Sequence, residues 1–218
     1  MTPIAFVGGT GPEGLGLALR LAAAGEVVIV GSRTASRAVA AADTIRAAVP
    51  AAHVTGMDNR EALAHVDRVA LTFPFGALPG FLDEAGTLLA GKLVIDVIVP
   101  LALRAGFFAL APIPGAASVG ELIQQTVPKA RVVSAFKNLS AEKLRDLAAP
   151  LGGDVVLCGN DDSARAEVAH LVRLIPGLRP VDAGGIANAR YLEAITALLL
   201  NLNRRHRALT SIAVLGLD

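Results

Sequence analysis

The chain has one cysteine, Cys158, no tryptophan and a single tyrosine among its 218 residues. A lone cysteine forms no disulfide within the chain, so a reducing, cytoplasmic compartment is expected. Charged residues make up 18% of the sequence and the net charge is +1, which gives no general attraction to nucleic acid or to an acidic membrane. The apolar runs Ile4–Gly9 and Ala194–Leu202 are too short to cross a bilayer. The lone cysteine, the small net charge and the short apolar runs together predict a soluble intracellular protein that binds neither nucleic acid nor membrane.

Hydrophobic residues make up 53% of the sequence, and short β-rich runs alternate with helical patterns along it. This alternation predicts an α/β fold with a Rossmann-type parallel sheet. Most of the runs are continuously apolar, as expected of strands that are covered on both faces. Strands are predicted at Ile4–Val7, Val27–Val30, Val69–Thr72, Leu93–Val97, Val132–Ala135 and Val155–Cys158, with weaker ones at His53–Thr55 and Leu178–Val181.

Segments with helical periodicity lie between most of these strands. One segment near residue 150 has no such periodicity. Proline and a glycine pair in Ala149–Asp154 make that segment the best candidate linker. Helices are predicted at Pro12–Ala24, Ala35–Ala48, Val119–Val127, Ser163–Leu174 and Ala187–Arg207.

A glycine-rich turn, Gly9-Thr10-Gly11-Pro12-Glu13-Gly14, lies between the first predicted strand and the first predicted helix. It fits the pattern G-x-G-x-x-G, in which Gly9 allows the tight turn, Gly11 lets a pyrophosphate approach, and Gly14 lets helix and strand pack closely. The free N–H groups at the helix start then face the anion. The alternative is a turn that binds nothing, but the position between strand and helix favours dinucleotide binding.

The end of the second predicted strand indicates which dinucleotide is bound. An NAD site usually has Asp or Glu there to accept a hydrogen bond from the ribose 2′-OH. This chain has Gly31 instead, followed by Ser32 and Arg33, with Arg37 one helical turn later. Two guanidinium groups suit a 2′-phosphate, whereas two solvated arginines would be the simpler interpretation. The missing acid and the added arginines together favour NADP(H).

The whole chain resembles the F420H2:NADP oxidoreductases, the NADP-dependent reductases of coenzyme F420. The glycine turn and "GSR" occur in many NADP enzymes, but "GLRPVDAGGIANARYLEAITALLLNLNRR" is more specific. Other matching stretches are "GGTGPEGLGLALRLA", "VVIVGSR", "VTGMDN", "VALTFP", "VVSAF" and "VLCGNDDSAR".

The resemblance implies an NADP-binding Rossmann domain, residues 1–150, and a smaller C-terminal domain, residues 151–218, that completes the substrate cleft. The deazaflavin ring of coenzyme F420 would stack on the nicotinamide, and hydride would pass directly between the two rings. Such chemistry depends on positioning and water exclusion, so no catalytic acid–base residue and no metal ligand are expected. The residues expected to contact the nucleotide are Gly9, Thr10, Gly11, Pro12, Glu13, Gly14, Ser32, Arg33, Arg37, Thr72, Phe73, Pro74 and Pro100.

The sequence departs from the family where a histidine usually lies near the deazaflavin. Lys137-Asn138 follows "VVSAF" instead. Lys137 would pair with the anionic side of the deazaflavin, bind a different acceptor, or be a solvated lysine. The substrate-binding residues implied are Lys137, Asn138 and Arg204, the last by attracting the phosphodiester and polyglutamate tail; charge complementarity at a helix end is the alternative for Arg204.

Apolar residues in 100–118 and the final helix predict a homodimer, although Phe107, Phe108, Ala111 and Ile113 would equally cover a ring face. The departure at Lys137 and this apolar loop leave a second hypothesis open, namely an NADPH-dependent reductase of an imine, a ketone or a flavin. A third hypothesis is a non-catalytic NADP(H) sensor. The sequence does not indicate the physiological direction of hydride transfer.

Overall fold

A computed structural model describes residues 2–217. They form one mostly parallel eight-stranded sheet and a separate two-stranded hairpin. The strands are β1 (Ile4–Val7), β2 (Val28–Ser32), β3 (Val54–Asp58), β4 (Arg68–Leu71), β5 (Leu93–Asp96), β6 (Leu101–Arg104), β7 (Phe107–Leu110), β8 (Arg131–Ser134), β9 (Gly153–Gly159) and β10 (Leu178–Asp182). In the sheet they lie in the order β10-β9-β8-β5-β4-β1-β2-β3.

Helices connect the strands, and several begin at a side-chain cap. Asp58, Ser118, Ser140 and Asp161 each accept a hydrogen bond from a backbone N–H in the first turn of the helix that follows, which satisfies one otherwise unpaired donor. The helices are α1 (Pro12–Ala23), α2 (Ala35–Ala48), α3 (Asn59–Ala64), α4 (Leu78–Ala85), α5 (Val119–Thr126), α6 (Ala141–Arg145), α7 (Asp162–Arg173) and α8 (Ala189–His206).

Both faces of the sheet are buried, which explains its continuously apolar strands. Alternate side chains of β1 enter two different cores: Ile4 and Phe6 pack under α1, α2, α6 and α7, whereas Ala5 and Val7 pack under α3, α4, α5 and α8. All four side chains are at most 1% exposed. The predicted α/β Rossmann-type fold is therefore confirmed, and the eight predicted strands are those of the sheet, with ends shifted by one or a few residues.

One strand pair departs from the expected parallel arrangement. β9 runs antiparallel to β8, with Ser134 opposite Cys158, and β10 then pairs with β9 in parallel. β9 already begins at Gly153, so the candidate linker Ala149–Asp154 overlaps a strand. The predicted boundary at residue 150 falls between two neighbouring strands of one sheet, and the division of the chain into 1–150 and 151–218 stays a prediction.

The segment after β5 forms a β-hairpin that the sequence patterns did not indicate. Its two-residue turn, Ala105-Gly106, has positive φ at both positions, the geometry that matches the twist of a tight hairpin. Asn201 of α8 holds the second strand: its Nδ2 donates to the Phe108 carbonyl at 2.9 Å, and its Oδ1 accepts from the Phe108 N–H at 2.9 Å. The hairpin is thereby anchored to α8.

Among the helices of residues 2–217, none combines the length and the apolar character needed to cross a membrane.

Candidate functional site

The glycine turn lies at the carboxyl end of β1, where the chain enters α1. The left-handed residue is Gly8, with φ +73°, rather than Gly9. Gly9 is needed for close packing, because a Cβ there would lie 2.7 Å from the Phe6 carbonyl oxygen. A Cβ on Gly14 would lie 2.4 Å from Thr72 Oγ1, so Gly14 brings α1 against the end of β4. The close helix–strand packing expected of the third glycine is present.

The start of α1 is suited to an anion. Gly11 is its N-cap and makes no side-chain capping hydrogen bond, and Pro12 occupies the first turn. The first backbone N–H groups of α1 are thus free of a side-chain acceptor within residues 2–217 and face outward from the helix end. A backbone cradle of this kind fits the pyrophosphate of a dinucleotide.

The residues expected at the 2′-phosphate lie beside the glycine turn. Gly9 N–H donates to the Gly31 carbonyl at 3.0 Å, which joins the turn to the end of β2. Ser32 ends that strand and is buried, whereas Arg33 and Arg37 are exposed. Their binding role stays a prediction. Sequence reasoning missed Asn59, whose Oδ1 accepts from Gly8 N–H at 3.3 Å and so steadies the turn from the end of β3.

A cavity of about 450 Å³ opens at the carboxyl ends of β4, β5 and β8 and reaches α8. Thr72, just after β4, lines the cavity, and its hydroxyl donates a hydrogen bond to the Val7 carbonyl at 3.0 Å. Phe73 contacts both the cavity and the core, because its ring lies 4.9 Å from the Phe81 ring. The site residues predicted from the sequence that line this cavity are Glu13, Thr72, Phe73, Pro74, Lys137 and Asn138.

Two further predicted site residues, Pro100 and Arg204, lie neither in the glycine turn, nor beside it at the end of β2, nor in this cavity. Pro100 is buried and lines a second cavity of about 420 Å³, next to the base of the hairpin. Arg204 is exposed on the last turn of α8, and its guanidinium donates to the Gly106 carbonyl at the tip of the hairpin. Their binding roles stay predictions, and the structure does not bring either residue to the larger cavity.

Lys137 is buried, so the interpretation as a solvated lysine is wrong. Its ammonium donates to Asp96 Oδ2 at 2.7 Å and to the Ile98 carbonyl, and it lies 3.7 Å from Glu193 Oε1. Phe136, just before it, has a φ of +59° and lines the cavity. Non-glycine residues held in this region are strained and cluster at functional sites. The internal ion pairs of Lys137 hold this strained segment against β5 and α8.

Asp96 and Glu193 are two buried carboxylates around Lys137 that are not among the predicted site residues. Asp96 ends the apolar strand β5, and its Oδ2 also accepts from the Ser134 hydroxyl at 2.6 Å. Glu193 Oε1 accepts from Val119 N–H at 2.8 Å, while its buried Oε2 has no partner within residues 2–217. Burial raises the pKa of Glu193 to about 7, against the opposing attraction of Lys137. An acidic residue inside an otherwise apolar strand end was the available signal for Asp96.

Asn138 and the C-terminal segment close the far side of the cavity. Asn138 Nδ2 donates to the Asp154 carbonyl at 2.8 Å, and the Asp154 carboxylate accepts from Val214 N–H at 2.6 Å. Thr210 donates to Asn203 Oδ1 at 2.6 Å, and both residues line the cavity. The segment after α8 is thereby fixed across β9 and contributes to the cavity wall.

Glu13 is a carboxylate at the junction of the glycine turn and the cavity. Its Oε1 is buried with no hydrogen-bond partner in the described chain. Burial raises the pKa of Glu13 to about 8, because a charged carboxylate loses hydration that nothing here replaces. Burial thus favours the protonated, uncharged form of Glu13 beside the cavity.

Comparison with known proteins supports the nucleotide assignment. A family described as "NADP oxidoreductase coenzyme F420-dependent" matches residues 3–100. The F420-dependent NADP reductase of Methanocaldococcus jannaschii is 36% identical over 210 residues, 94% of each chain. That of Methanothermobacter marburgensis is 39% identical over 209 residues, 94% of this chain and 93% of its own. A crystal structure of a candidate F420-dependent NADP-reductase from Arthrobacter sp. FB24 has a TM-score of 0.82 at 27% identity, with all of both chains covered.

Proposed function

The chain belongs to the family of F420-dependent NADP reductases, and we propose that its reaction takes place in the 450 Å³ cavity at the carboxyl ends of β4, β5 and β8. It is an NADP oxidoreductase that transfers a hydride between NADP(H) and coenzyme F420. The observation that supports this choice of cavity is that its wall includes Glu13, from the glycine turn, together with Thr196 and Leu199 of α8. Ligands of open α/β sheets bind outside the carboxyl ends of the strands.

The nucleotide would be held along the edge that runs from β2 to β4. The start of α1 would bind the pyrophosphate through backbone N–H groups and the helix dipole. Ser32, Arg33 and Arg37 would bind the 2′-phosphate, with Thr10 as a further donor. Thr72 and Phe73 then line the path from the turn to the cavity, where the nicotinamide would supply or accept the hydride.

The cavity wall facing this path suits a planar, apolar ring. Ile98, Phe136, Leu199 and Leu209 present apolar side chains there, and close packing of that kind positions two rings and excludes water. Lys137 would act on a bound ring through its charge, because its ammonium already binds Asp96 and the Ile98 carbonyl. Asn138 would help to bind the substrate as part of the cavity wall. Arg204 would attract the anionic tail of coenzyme F420 from its exposed position.

The direct test of this function is an anaerobic assay with NADPH and coenzyme F420. NADPH oxidation should be accompanied by loss of the deazaflavin absorbance, with one NADPH consumed per coenzyme reduced. A flavin, a ketone and an imine are assayed in parallel. Turnover of one of them without turnover of coenzyme F420 would contradict the proposal.

We also propose that the protein is a cytoplasmic homodimer. Leu103 and Phe107 of the hairpin are 63% and 67% exposed, and Tyr191 and Leu198 of α8 are 62% and 57% exposed. The hairpin is bonded to α8 through Asn201, so these apolar side chains lie on joined elements that a second copy would cover. Sedimentation equilibrium should give a dimer for the wild type and a monomer for L103S/F107S. A monomeric wild type at micromolar concentration would contradict the proposal.

A further inference from the structure

The hydride transfer leaves a proton to be accounted for, and the cavity contains few groups able to handle it. When a nicotinamide gives a hydride to a deazaflavin carbon, the electron pair moves with the hydrogen, the nicotinamide is oxidised and the acceptor ring is reduced. The reduced ring then needs one proton at a ring nitrogen. The titratable side chains that line the cavity are Glu13, Lys137 and Glu142.

Lys137 and Glu142 are poorly suited to this step. The Lys137 ammonium is bound to Asp96 and to the Ile98 carbonyl, and its side chain is 1% exposed. Loss of its proton would leave the buried Asp96 carboxylate without its cation, at a cost of several kcal/mol. Glu142 is exposed to solvent on α6.

Glu13 differs from both in its environment. Its buried Oε1 has no hydrogen-bond donor within the described residues, and Glu13 itself lies in the first turn of α1. Thr72, Phe73 and Pro74, which line the same cavity, bring no charge. The other ionisable groups around the cavity are Lys137, which is paired with Asp96 and lies 3.7 Å from Glu193 Oε1, and the exposed Glu142.

We propose that Glu13 is the catalytic acid–base residue, which gives a proton to the acceptor ring when coenzyme F420 is reduced and takes it back when the reduced coenzyme is oxidised. The inference rests on the proposed reaction in this cavity. In the first direction the Glu13 O–H bond breaks as an N–H bond forms on the ring, and water reprotonates the carboxylate afterwards. The raised pKa of about 8 keeps the acid form populated at neutral pH, which suits a general acid. The proposal departs from the expectation of no catalytic acid–base residue, which stays a prediction.

The pH dependence tests this role, with Glu13→Gln as the main variant. Wild-type reduction of coenzyme F420 should fall as pH rises through about 8, because the acid form is lost, while the reverse reaction should fall as pH drops through the same value. E13Q keeps the shape and the backbone donors of the turn, so it should still bind NADP(H). We expect its rate to fall about 100-fold. We also expect both pH limbs to disappear, that is, the fall of the forward rate above about pH 8 and the fall of the reverse rate below it.

Glu84→Gln is the matched control, since it removes an exposed carboxylate of α4 that lies outside the cavity, and it should retain both limbs. A second readout needs no turnover: infrared difference spectra of wild type against E13Q should show a protonated-carboxyl band that vanishes near pH 8. Glu13→Asp, which keeps an acid, should retain a high-pH limb at a lower rate.

Wild-type limbs and near-wild-type rates in E13Q would overturn the proposal, as would loss of nucleotide binding in E13Q or absence of the infrared band. Should E13Q fail to fold, a flat pH profile in E13D would overturn it. Failure of the proposed reaction has another signature, because the wild type itself would not turn over coenzyme F420 at any pH.

Discussion

Lys137 Nζ lies 2.7 Å from Asp96 Oδ2, and the two side chains are 1% and 0% exposed. The pair joins the end of β8 to the end of β5 directly below the cavity, and the Ser134 hydroxyl and Ile98 N–H also donate to Asp96. A carboxylate and an ammonium with this burial are stable only together, because either one alone would be an uncompensated charge in the interior.

Substitution of Lys137 by Met should therefore lower the free energy of unfolding by about 3–5 kcal/mol, measured by urea denaturation. The loss should come mainly from the stranded Asp96 carboxylate. The double variant D96N/K137M removes both charges and should recover part of that loss. Lys129→Met, at an exposed position, is the control and should change stability by less than about 0.5 kcal/mol. Equal destabilisation by K137M and D96N/K137M would contradict this account.

Glu193 should make stability depend on pH. Its carboxyl titrates near 4.5 in the unfolded chain and near 7 in the folded protein, so the folded state binds the proton more tightly. The stability contributed by that proton is present below about pH 4.5 and is lost as pH rises through about 7. In Glu193→Gln the fall in the free energy of unfolding with rising pH should be smaller by roughly 3 kcal/mol. Each tenfold difference in proton affinity between the two states is worth about 1.4 kcal/mol.

The measurement is the free energy of unfolding of wild type and E193Q at about pH 5 and about pH 8. Glu13, whose pKa is also raised, remains in both proteins and leaves a residual decline of the same sign. Glu84→Gln, on the exposed side of α4, should follow the wild type. A parallel decline in wild type and E193Q would show that Glu193 ionises alike in the folded and unfolded states.

Local patterns were sufficient to predict most of the fold. Continuous apolar runs such as Ile4–Val7 indicate strands covered on both faces, and the glycine turn identified the first crossover. The hairpin at 101–110 was missed because its strands are partly exposed and its turn, Ala105-Gly106, needs a positive φ at an alanine. Local sequence gives no signal for that conformation.

The interior of the candidate site was less predictable, because its partners are far apart in the sequence. The sequence identified Lys137 as a departure from the family, but its buried position depends on Asp96, 41 positions earlier, and on Glu193 in α8. Asp96 lies in no motif, and Glu193 lies in the family-specific stretch that begins at Gly177, but neither segment indicates its partner. Pairings of this kind arise only when β5, β8 and α8 meet, so they follow from the topology and not from any single segment.

Arg33→Ala should separate the two nicotinamide nucleotides. A charge-assisted contact to the 2′-phosphate is worth roughly 1.5–3 kcal/mol, so the KM for NADPH should rise about 10- to 100-fold. The KM for NADH, which lacks that phosphate, should change little. Steady-state kinetics with both nucleotides checks this, with Arg173→Ala, exposed at the end of α7, as the control. An equal rise in the KM for NADPH and for NADH would show that Arg33 does not bind the 2′-phosphate.

Gly14→Ala should damage the nucleotide site through sterics. The added Cβ would lie 2.4 Å from Thr72 Oγ1 and 2.9 Å from Gly9 Cα, so α1 must move away from both β4 and the turn. We expect a loss of about 1–3 kcal/mol in stability, the usual cost of overpacking, and weaker NADP(H) binding in fluorescence titrations. Gly80→Ala is the matched control, because Gly80 is exposed in α4 and a Cβ there meets nothing within 4 Å. That variant should gain up to about 1 kcal/mol from helix propensity and bind NADP(H) normally. If G14A bound NADP(H) as tightly as G80A, the close approach of α1 to Thr72 would not be needed to shape the site.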